Sequence, residues 1–291
     1  MLRGTCRVLR VMYCVVRYID MSTGHTSYSN ASQLTYGDYL HVPQLISLQH
    51  PQSSPPHHDE LLFIITHQTY ELWFKQLLHE VETARDAMAA GRLWWARHLL
   101  GRVAVIEGVL VHQIDVLETM TPSQFATFRA RLDAASGFQS AQFREVEFVL
   151  GHKRTAAFEQ FPPGSEARTR LESRFREPGL WDWFVHFLAG RKYAVPEEAL
   201  NRDVTQPPAP SPDLQRTLVH IYRTDPAVAE LCERLVDLDE GVQEWRYRHV
   251  KMVERTIGTR PGTGGSAGAE YLRTTLLRPV FTDLWAIRTE F

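Results

Sequence analysis

The chain has 291 residues, 44% of them apolar, which is enough to build the core of one large domain or two small ones. Its net charge of −2, without any basic block, argues against a nucleic-acid or anionic-membrane partner. The sequence contains no run of about eighteen apolar residues, so no membrane span is predicted. The three cysteines form no CxxC pair, so we expect neither a disulfide framework nor a thiolate metal site.

The first 33 residues are predicted to be an extension outside the fold, flexible or in part not a native start. Residues 1–20 interrupt an apolar run with four arginines and contain no small-residue cleavage site, which argues against a secretory signal. Residues 22–33 are rich in Ser, Thr and Asn, a composition typical of a flexible lead-in. We therefore expect translation to start at Met21, a single domain over residues 34–291, and a cytoplasmic protein.

Two long helices are predicted on either side of Gly91, over residues 59–90 and 93–119. The first contains no Gly or Pro, and Asp59 supplies the negative charge that favours a helix N-terminus. Because the connection between the helices is short, we expect them to pack antiparallel. His67 lies on an apolar face of the first helix. The other members of that face are Phe63, Tyr70, Phe74, Leu77 and Val81.

A third long helix is predicted around residues 231–256, where apolar residues recur at alternating steps of four and three. His249 lies inside that stripe, whereas charged neighbours such as Arg246 point away from it. His249 is therefore either a core histidine bonded to a carbonyl or a ligand carried into the interior, and the pattern leaves both open. The other members of the stripe are Leu231, Leu235, Leu238, Val242, Trp245 and Met252.

The glycine-rich run GTGGSAG follows this helix at residues 262–268. A P-loop needs Gly-Lys-Ser/Thr after a strand, and a Rossmann turn also needs a preceding strand, but neither context is present. The run is either a flexible connection or a loop whose backbone approaches a ligand closely, with the hydroxyl of Thr263 available.

A shorter helix is predicted from Thr121, as the N-cap, through Leu132. Arg129 shares a side of that helix with apolar residues, so its guanidinium either reaches out to solvent or recognises a ligand. The chain breaks at Ser136 and Gly137 and returns to helix through residue 150. Strand-like alternation and internal repeats are missing from the sequence, so we expect an all-α fold.

The residue patterns favour few kinds of chemistry. A hydrolase would need a nucleophile turn such as GxSxG, which is missing, and the adjacent side chains of His57, His58 and Asp59 diverge too much to hold a metal. Two distant histidines on apolar helical stripes, without CxxCH, suit a non-covalently held haem with His249 and His67 on opposite sides. An ordinary helical core would produce the same spacing.

Five segments within residues 34–268 are distinctive when they are taken together. They are LTYGDYL (34–40), HHDELLFIITHQTYELWFKQLLHE (57–80), LETMTPSQFATFR (117–129), SGFQSAQFREVEFVLG (136–151) and WRYRHVKMVERTIGTRPGTGGSAG (245–268). In this order they closely resemble the tryptophan 2,3-dioxygenase family. The resemblance implies an all-α enzyme with haem b, usually a homotetramer. Such an enzyme inserts both atoms of O2 across the indole C2–C3 bond of L-tryptophan and yields N-formyl-L-kynurenine.

The resemblance also implies roles for individual residues. His249 would be the proximal haem ligand and bind the iron, and His67 would be the distal, catalytic histidine that accepts or positions the indole N–H. Phe63 would pack on the substrate ring. The rest of the FIITH motif is placed with the substrate contacts: Ile64, Ile65 and Thr66.

Further roles at the substrate's polar end follow from the same resemblance. Arg129 would clamp the carboxylate, which suits its forked and always charged donor. Thr263 would meet the amino-acid end, and Phe125, where other members carry Tyr or Phe, would contribute no hydroxyl. Ser136 and Gly137 would border the haem pocket.

Other expectations concern the assembly and the alternatives. Tyr36 and Tyr39 match a segment that reaches into the neighbouring subunit's site, so activity would depend on oligomerisation. Relatives on the same scaffold act on substituted tryptophans or other aromatic amino acids, and a haem protein that senses without turnover is the alternative from another class. The arginine clamp and the glycine-threonine loop favour an enzyme.

Overall fold

The computed structural model describes residues 33–133, 135–263 and 268–291, and no strand occurs in these ranges. The predicted all-α class is confirmed. The chain divides into two compact units, residues 1–48 and 49–291. The predicted extension over residues 1–33 lies almost wholly outside the described residues.

The N-terminal unit contains two short helices, α1 (Tyr36–Leu40) and α2 (Val42–Leu45). Thr35 caps α1, because its hydroxyl accepts a hydrogen bond from the backbone N–H of Asp38 at 3.2 Å. Neither helix contains a buried residue.

The second unit is built from helices that vary greatly in length. Three of them, α3, α4 and α11, have at least 25 residues. The helices are α3 (His58–Ala89), α4 (Leu93–Leu117), α5 (Pro122–Arg129), α6 (Ala141–Leu150), α7 (Glu166–Arg176), α8 (Leu180–Gly190), α9 (Glu197–Leu200), α10 (Pro212–Thr224), α11 (Pro226–Ile257), α12 (Ala269–Arg273) and α13 (Thr282–Ala286), with 3-10 turns at Gly137–Gln139, Thr155–Gln160 and Ile287–Glu290.

Helices α3 and α4 form the predicted antiparallel hairpin. The Tyr70 hydroxyl donates to the carbonyl of Leu110 at 2.7 Å, and the Arg102 guanidinium lies 2.9 Å from the Glu80 carboxylate. Because residue 70 pairs with 110 and residue 80 pairs with 102, the two helices run in opposite directions. The apolar residues of the two helices close a common core in which Val81 and Val103 are fully buried.

Helix α11 packs along α4 in the parallel direction, since Arg97 contacts Glu230 at 3.1 Å and Glu118 contacts Arg248 at 3.2 Å. The predicted apolar stripe is buried in its first half, whereas its members from Val242 to Met252 are only partly buried. Its first three members have no exposed surface, and burying one such side chain contributes about 1.5–3 kcal/mol. They are Leu231, Leu235 and Leu238.

Asp239 connects α11 to the C-terminal segment. Its buried carboxylate accepts hydrogen bonds from the backbone N–H groups of Val280 (2.9 Å) and Phe281 (3.0 Å) and from the Trp285 indole N–H (2.8 Å). A buried carboxylate needs such donors to offset the loss of its hydration. These contacts anchor α11 in the part of the helix that precedes His249.

Helix α5 begins as the sequence predicts. Thr121 and Gln124 form a reciprocal capping box, and Pro122 occupies the first turn. The helix ends at Arg129, which places that guanidinium at the helix terminus. Within the described ranges, none of the helices combines the length and apolar character that a bilayer crossing requires.

Candidate functional site

One large cavity lies between α3, α5, α6 and α11, and the segment around Thr263 and helix α12 also borders it. Its volume is about 280 Å³, and it opens to solvent at its mouth. The cavity brings together most of the residues that the sequence singled out, although they come from distant parts of the chain. They are Phe63, His67, Phe125, Arg129, Ser136, Gly137, His249 and Thr263.

His67 projects from α3 with a defined orientation. Its Nδ1 lies 2.7 Å from the carbonyl oxygen of Phe63, one turn earlier in the helix. A carbonyl only accepts, so Nδ1 carries the proton in the neutral ring and Nε2 is left as an acceptor. Although part of the ring is open to the cavity, burial in the protein lowers the pKa of His67, and the carbonyl of Phe63 opposes that shift. His67 is therefore a neutral hydrogen-bond acceptor at pH 7.

His249 projects from α11 into the same cavity. Its ring is stacked on Trp245, with the ring centroids 5.0 Å apart and the planes 6° from parallel. Burial lowers the pKa of His249 to about 4, and the nearby His67 and Arg144 act in the same direction. The imidazole is thus neutral at pH 7, which is the form that binds a metal ion.

Aromatic side chains form the wall beside His67. The rings of Phe63 and His67 have centroids 4.1 Å apart, and Phe63 also contacts Phe125 (5.8 Å) and Phe128 (5.6 Å). Phe125 and Phe128 are buried. Such a cluster offers an apolar surface against which another aromatic ring can pack.

Two polar residues lie at the mouth of the cavity, each bonded to a backbone carbonyl. Arg129, half-buried at the end of α5, donates to the carbonyl of Pro261 at 2.5 Å. The Thr263 hydroxyl donates to the carbonyl of Ala135 at 2.7 Å. The two bonds connect the segment after α11 to the segment after α5. Residues 264–267, the centre of the glycine-rich run, lie outside the described residues.

Ser136 and Gly137 border the cavity where the chain turns between α5 and α6. Ser136 is the N-cap of the short 3-10 turn Gly137–Gln139, and its hydroxyl accepts from the N–H of Phe138 at 3.3 Å. The break that the sequence predicted here is confirmed.

The sequence patterns missed a charged cluster at the other end of the cavity. Glu147 is buried and contacts the guanidinium groups of Arg144, Arg154 (2.8 Å) and Arg246 (4.0 Å). Burial lowers the pKa of both Arg144 and Arg246. The cluster has three guanidinium groups and one carboxylate, so its net charge is positive. The buried Nε of Arg144 has no hydrogen-bond partner among the described residues. The cluster therefore favours an anionic ligand group.

Arg246 corrects the prediction that the charged neighbours of His249 point away from the site. The side chain leaves the apolar stripe, but it is buried and lines the cavity, where it also contacts Nε2 of His152 at 3.3 Å. The sequence signal that could have revealed the cluster is the set of charged residues within the apolar run of α6. A helix that is buried on most sides also buries its charged residues.

Three members of the FIITH motif do not line the cavity. Thr66 is buried on the opposite side of α3, where its carbonyl accepts from Gln113 of α4 at 2.7 Å, and Ile65 is exposed on the outer surface. Ile64 is half-buried outside the lining. In a helix only every third or fourth residue faces the same side. Because Phe63 and His67 face the cavity, the three residues between them face elsewhere. Tyr36 and Tyr39 belong to the N-terminal unit, and their role stays a prediction.

The sequence model of the family described as tryptophan 2,3-dioxygenase matches residues 20–162 and 213–291. The match begins ahead of the predicted domain start at residue 34.

Three proteins called tryptophan 2,3-dioxygenase are similar over most of the chain. The protein from Herpetosiphon aurantiacus is 55% identical over 257 residues, which cover 88% of this chain and 98% of that protein. The protein from Anaeromyxobacter sp. is 51% identical over 265 residues, with 89% and 97% covered. The protein from Nocardioides sp. is 51% identical over 276 residues, with 93% and 100% covered.

Proposed function

Because the chain belongs to the tryptophan 2,3-dioxygenase family, we propose that its central cavity inserts both atoms of O2 across the indole C2–C3 bond of L-tryptophan. The product is N-formyl-L-kynurenine. The chain is accordingly an oxidoreductase of the dioxygenase type. One observation carries the proposal: two neutral histidines from α3 and α11 face a single apolar cavity whose mouth holds Arg129 and Thr263.

Haem b fits the residues of this cavity. His249 offers a neutral nitrogen for the iron, and a haem needs only one such ligand on its proximal side. The aromatic and aliphatic walls suit the porphyrin, while the unpartnered Nε of Arg144 and the excess of guanidiniums suit its two propionates. When it is bound, haem b supplies the iron that activates dioxygen.

His67 and Phe63 are proposed to hold the indole ring. Since Nδ1 of His67 is bonded to a carbonyl, Nε2 is the atom that would accept the indole N–H. Phe63 lies against His67 and would pack on the ring. These two contacts would orient the C2–C3 bond, and the surrounding apolar side chains would exclude water from it.

Arg129 and Thr263 are proposed to bind the amino-acid end of the substrate. Among the described residues, Arg129 donates to one neutral acceptor, the carbonyl of Pro261. A carboxylate accepts two bonds from a guanidinium and carries a charge, so it would displace that carbonyl. Thr263 lies two residues after Pro261, whose carbonyl Arg129 contacts, and would contact the substrate ammonium group.

We extend the proposal to a homotetramer in the cytoplasm, in which Tyr36 and Tyr39 contact the site of a neighbouring subunit. The support is that α1 and α2 bury none of their residues, and that Tyr36 and Tyr39 are 65% and 70% exposed. Light scattering of the purified protein tests the tetramer, and loss of turnover on diluting it to monomers tests the shared site.

A direct assay tests the proposed activity. The purified protein should show a Soret band and, with reductant, O2 and L-tryptophan, should develop the absorbance of N-formylkynurenine. Parallel assays with ring-substituted tryptophans and with other aromatic amino acids measure the substrate preference. A Soret band without any product would favour a haem sensor, and a protein that binds no haem would overturn both interpretations.

A further inference from the structure

Glu71 lines the central cavity one helical turn after His67. On α3 the residues that face this cavity follow helical spacing, from Phe63 through His67 and Glu71 to Phe74. Glu71 is the acidic member of that face. It belongs to none of the contacts proposed above for haem or for tryptophan.

The side chain of Glu71 is held in place by Gln142 of α6. The Nε2 of Gln142 donates to Oε2 of Glu71 at 2.8 Å and to the backbone carbonyl of Glu71 at 3.0 Å. Two bonds from one amide restrict the position of the carboxylate relative to the helix. Glu71 is therefore a fixed charge beside His67.

Glu71 and Ser140 also border a second depression, the outer groove, which lies further along α3. Charged residues of both signs line this groove. Besides Glu71, the acidic ones are Glu82 and Glu145, and the basic ones are Lys75, His79, Arg170 and Arg174. Glu71 thus borders both the polar outer groove and the central cavity.

A fixed negative charge near an imidazole has a definite effect. Burial lowers the pKa of His67, and the charge of Glu71 acts in the opposite direction. The same interaction favours the partial positive charge that the ring acquires when Nε2 accepts a hydrogen bond.

We propose that Glu71 is a positioning residue whose carboxylate strengthens Nε2 of His67 as the acceptor of the substrate's indole N–H. The inference rests on the proposed role of His67. It adds a determinant of recognition that lies outside the residues touching the substrate.

Other charged and titratable groups line the cavity into which His67 projects, and they stay constant in the test below. They are Tyr70 on α3, Arg129 on α5, Arg144 and Glu147 on α6, Arg154 after α6, Arg246 and His249 on α11, and Tyr271 on α12.

The test compares two ligands on Glu71→Gln, a variant that keeps an acceptor for Gln142. The ligands are L-tryptophan and its benzothiophene analogue, in which sulfur replaces the indole N–H. Calorimetry on the haem-loaded protein without oxygen measures both affinities. We expect the Kd of tryptophan to rise about threefold, below the roughly fivefold loss of a whole uncharged hydrogen bond. The Kd of the analogue should not change.

The pH dependence supplies a second readout. Tryptophan binding requires an unprotonated Nε2, so affinity is lost as pH falls through the pKa of His67. Removing the charge of Glu71 lowers that pKa further, so the acidic loss of affinity should move to lower pH in Glu71→Gln. A purely structural role would leave that midpoint in place.

Controls separate the possible failures. Glu82→Gln, in the outer groove but not in the central cavity, should leave both affinities unchanged. Equal weakening of both ligands, or no change in either, in Glu71→Gln would overturn the inference alone. A wild-type protein that does not prefer tryptophan over the analogue would overturn the role of His67 as well. If Glu71→Gln loses haem, Gln142→Ala, which releases the carboxylate without removing its charge, is assessed by the affinities for the two ligands.

Discussion

The inner wall and the mouth of the central cavity are built in different ways. The inner wall carries His67 and His249 on two helices of 32 residues each, and its side chains are oriented by neighbours within those helices. The mouth carries Arg129 at the end of an eight-residue helix and Thr263 in a loop, each with a bond to a carbonyl. A bond to a neutral carbonyl is easily exchanged for a ligand, whereas a buried helix is not. We therefore expect inner-wall changes to affect cofactor and stability, and mouth changes to affect substrate binding.

The largest effect is expected from His249→Ala. The variant should lose haem retention and activity together, because the iron loses its protein ligand. The ratio of Soret to protein absorbance measures retention, and added imidazole should restore part of it. His220→Ala, on the exposed side of α10, is the matched control and should behave as wild type. Stoichiometric haem with normal turnover in His249→Ala would contradict the assignment.

Arg129→Ala should weaken tryptophan binding by about 2–5 kcal/mol, since the substrate carboxylate would lose its charged partner inside the pocket. The Michaelis constant should rise steeply while the Soret band stays intact. Arg129→Lys should recover only part of the loss, because an ammonium cannot form the paired bonds of a guanidinium. Arg131→Ala removes an exposed arginine of the same segment and serves as control. A normal Michaelis constant in Arg129→Ala would contradict the proposed role of Arg129 in binding the substrate carboxylate.

Asp239→Ala tests the anchoring of the inner wall. Three buried donors, from Val280, Phe281 and Trp285, would lose their acceptor. We expect the free energy of unfolding to fall by about 3 kcal/mol, to be measured by urea denaturation. Asp237→Ala, which removes a partly exposed ion pair with Arg234, should cost less than about 1 kcal/mol. If mouth variants destabilised the fold as much as Asp239→Ala, the contrast between the two regions would not hold.

The smallest effect is expected from Thr263→Val, which keeps the shape of the side chain but removes the hydroxyl bonded to Ala135. The loss of one hydrogen bond should raise the Michaelis constant for tryptophan by a factor corresponding to about 1 kcal/mol. Thr263→Ser should restore the wild-type value. Thr259→Val, at an exposed position before the cavity segment, is the control. An unchanged constant in Thr263→Val would assign the loop's contribution to its backbone.

The periodic patterns predicted the long helices closely. The predicted spans 59–90 and 93–119 became His58–Ala89 and Leu93–Leu117, because amphipathic spacing and the glycine at position 91 are local signals. The predicted cap at Thr121 is likewise a local interaction. The same patterns failed for Arg144 and Glu147, whose burial depends on what packs against α6.

The sequence by itself determined that the chain is helical, where its long helices lie, and that two histidines lie on apolar helix faces. Helical periodicity is a property of neighbouring residues, so it can be read without the fold. Only the tertiary structure decided that His67 and His249 share one cavity, that Arg246 is buried beside it, and that Ile64, Ile65 and Thr66 are not part of its lining. Those facts depend on how helices far apart in the chain pack, and on the space that their packing leaves open.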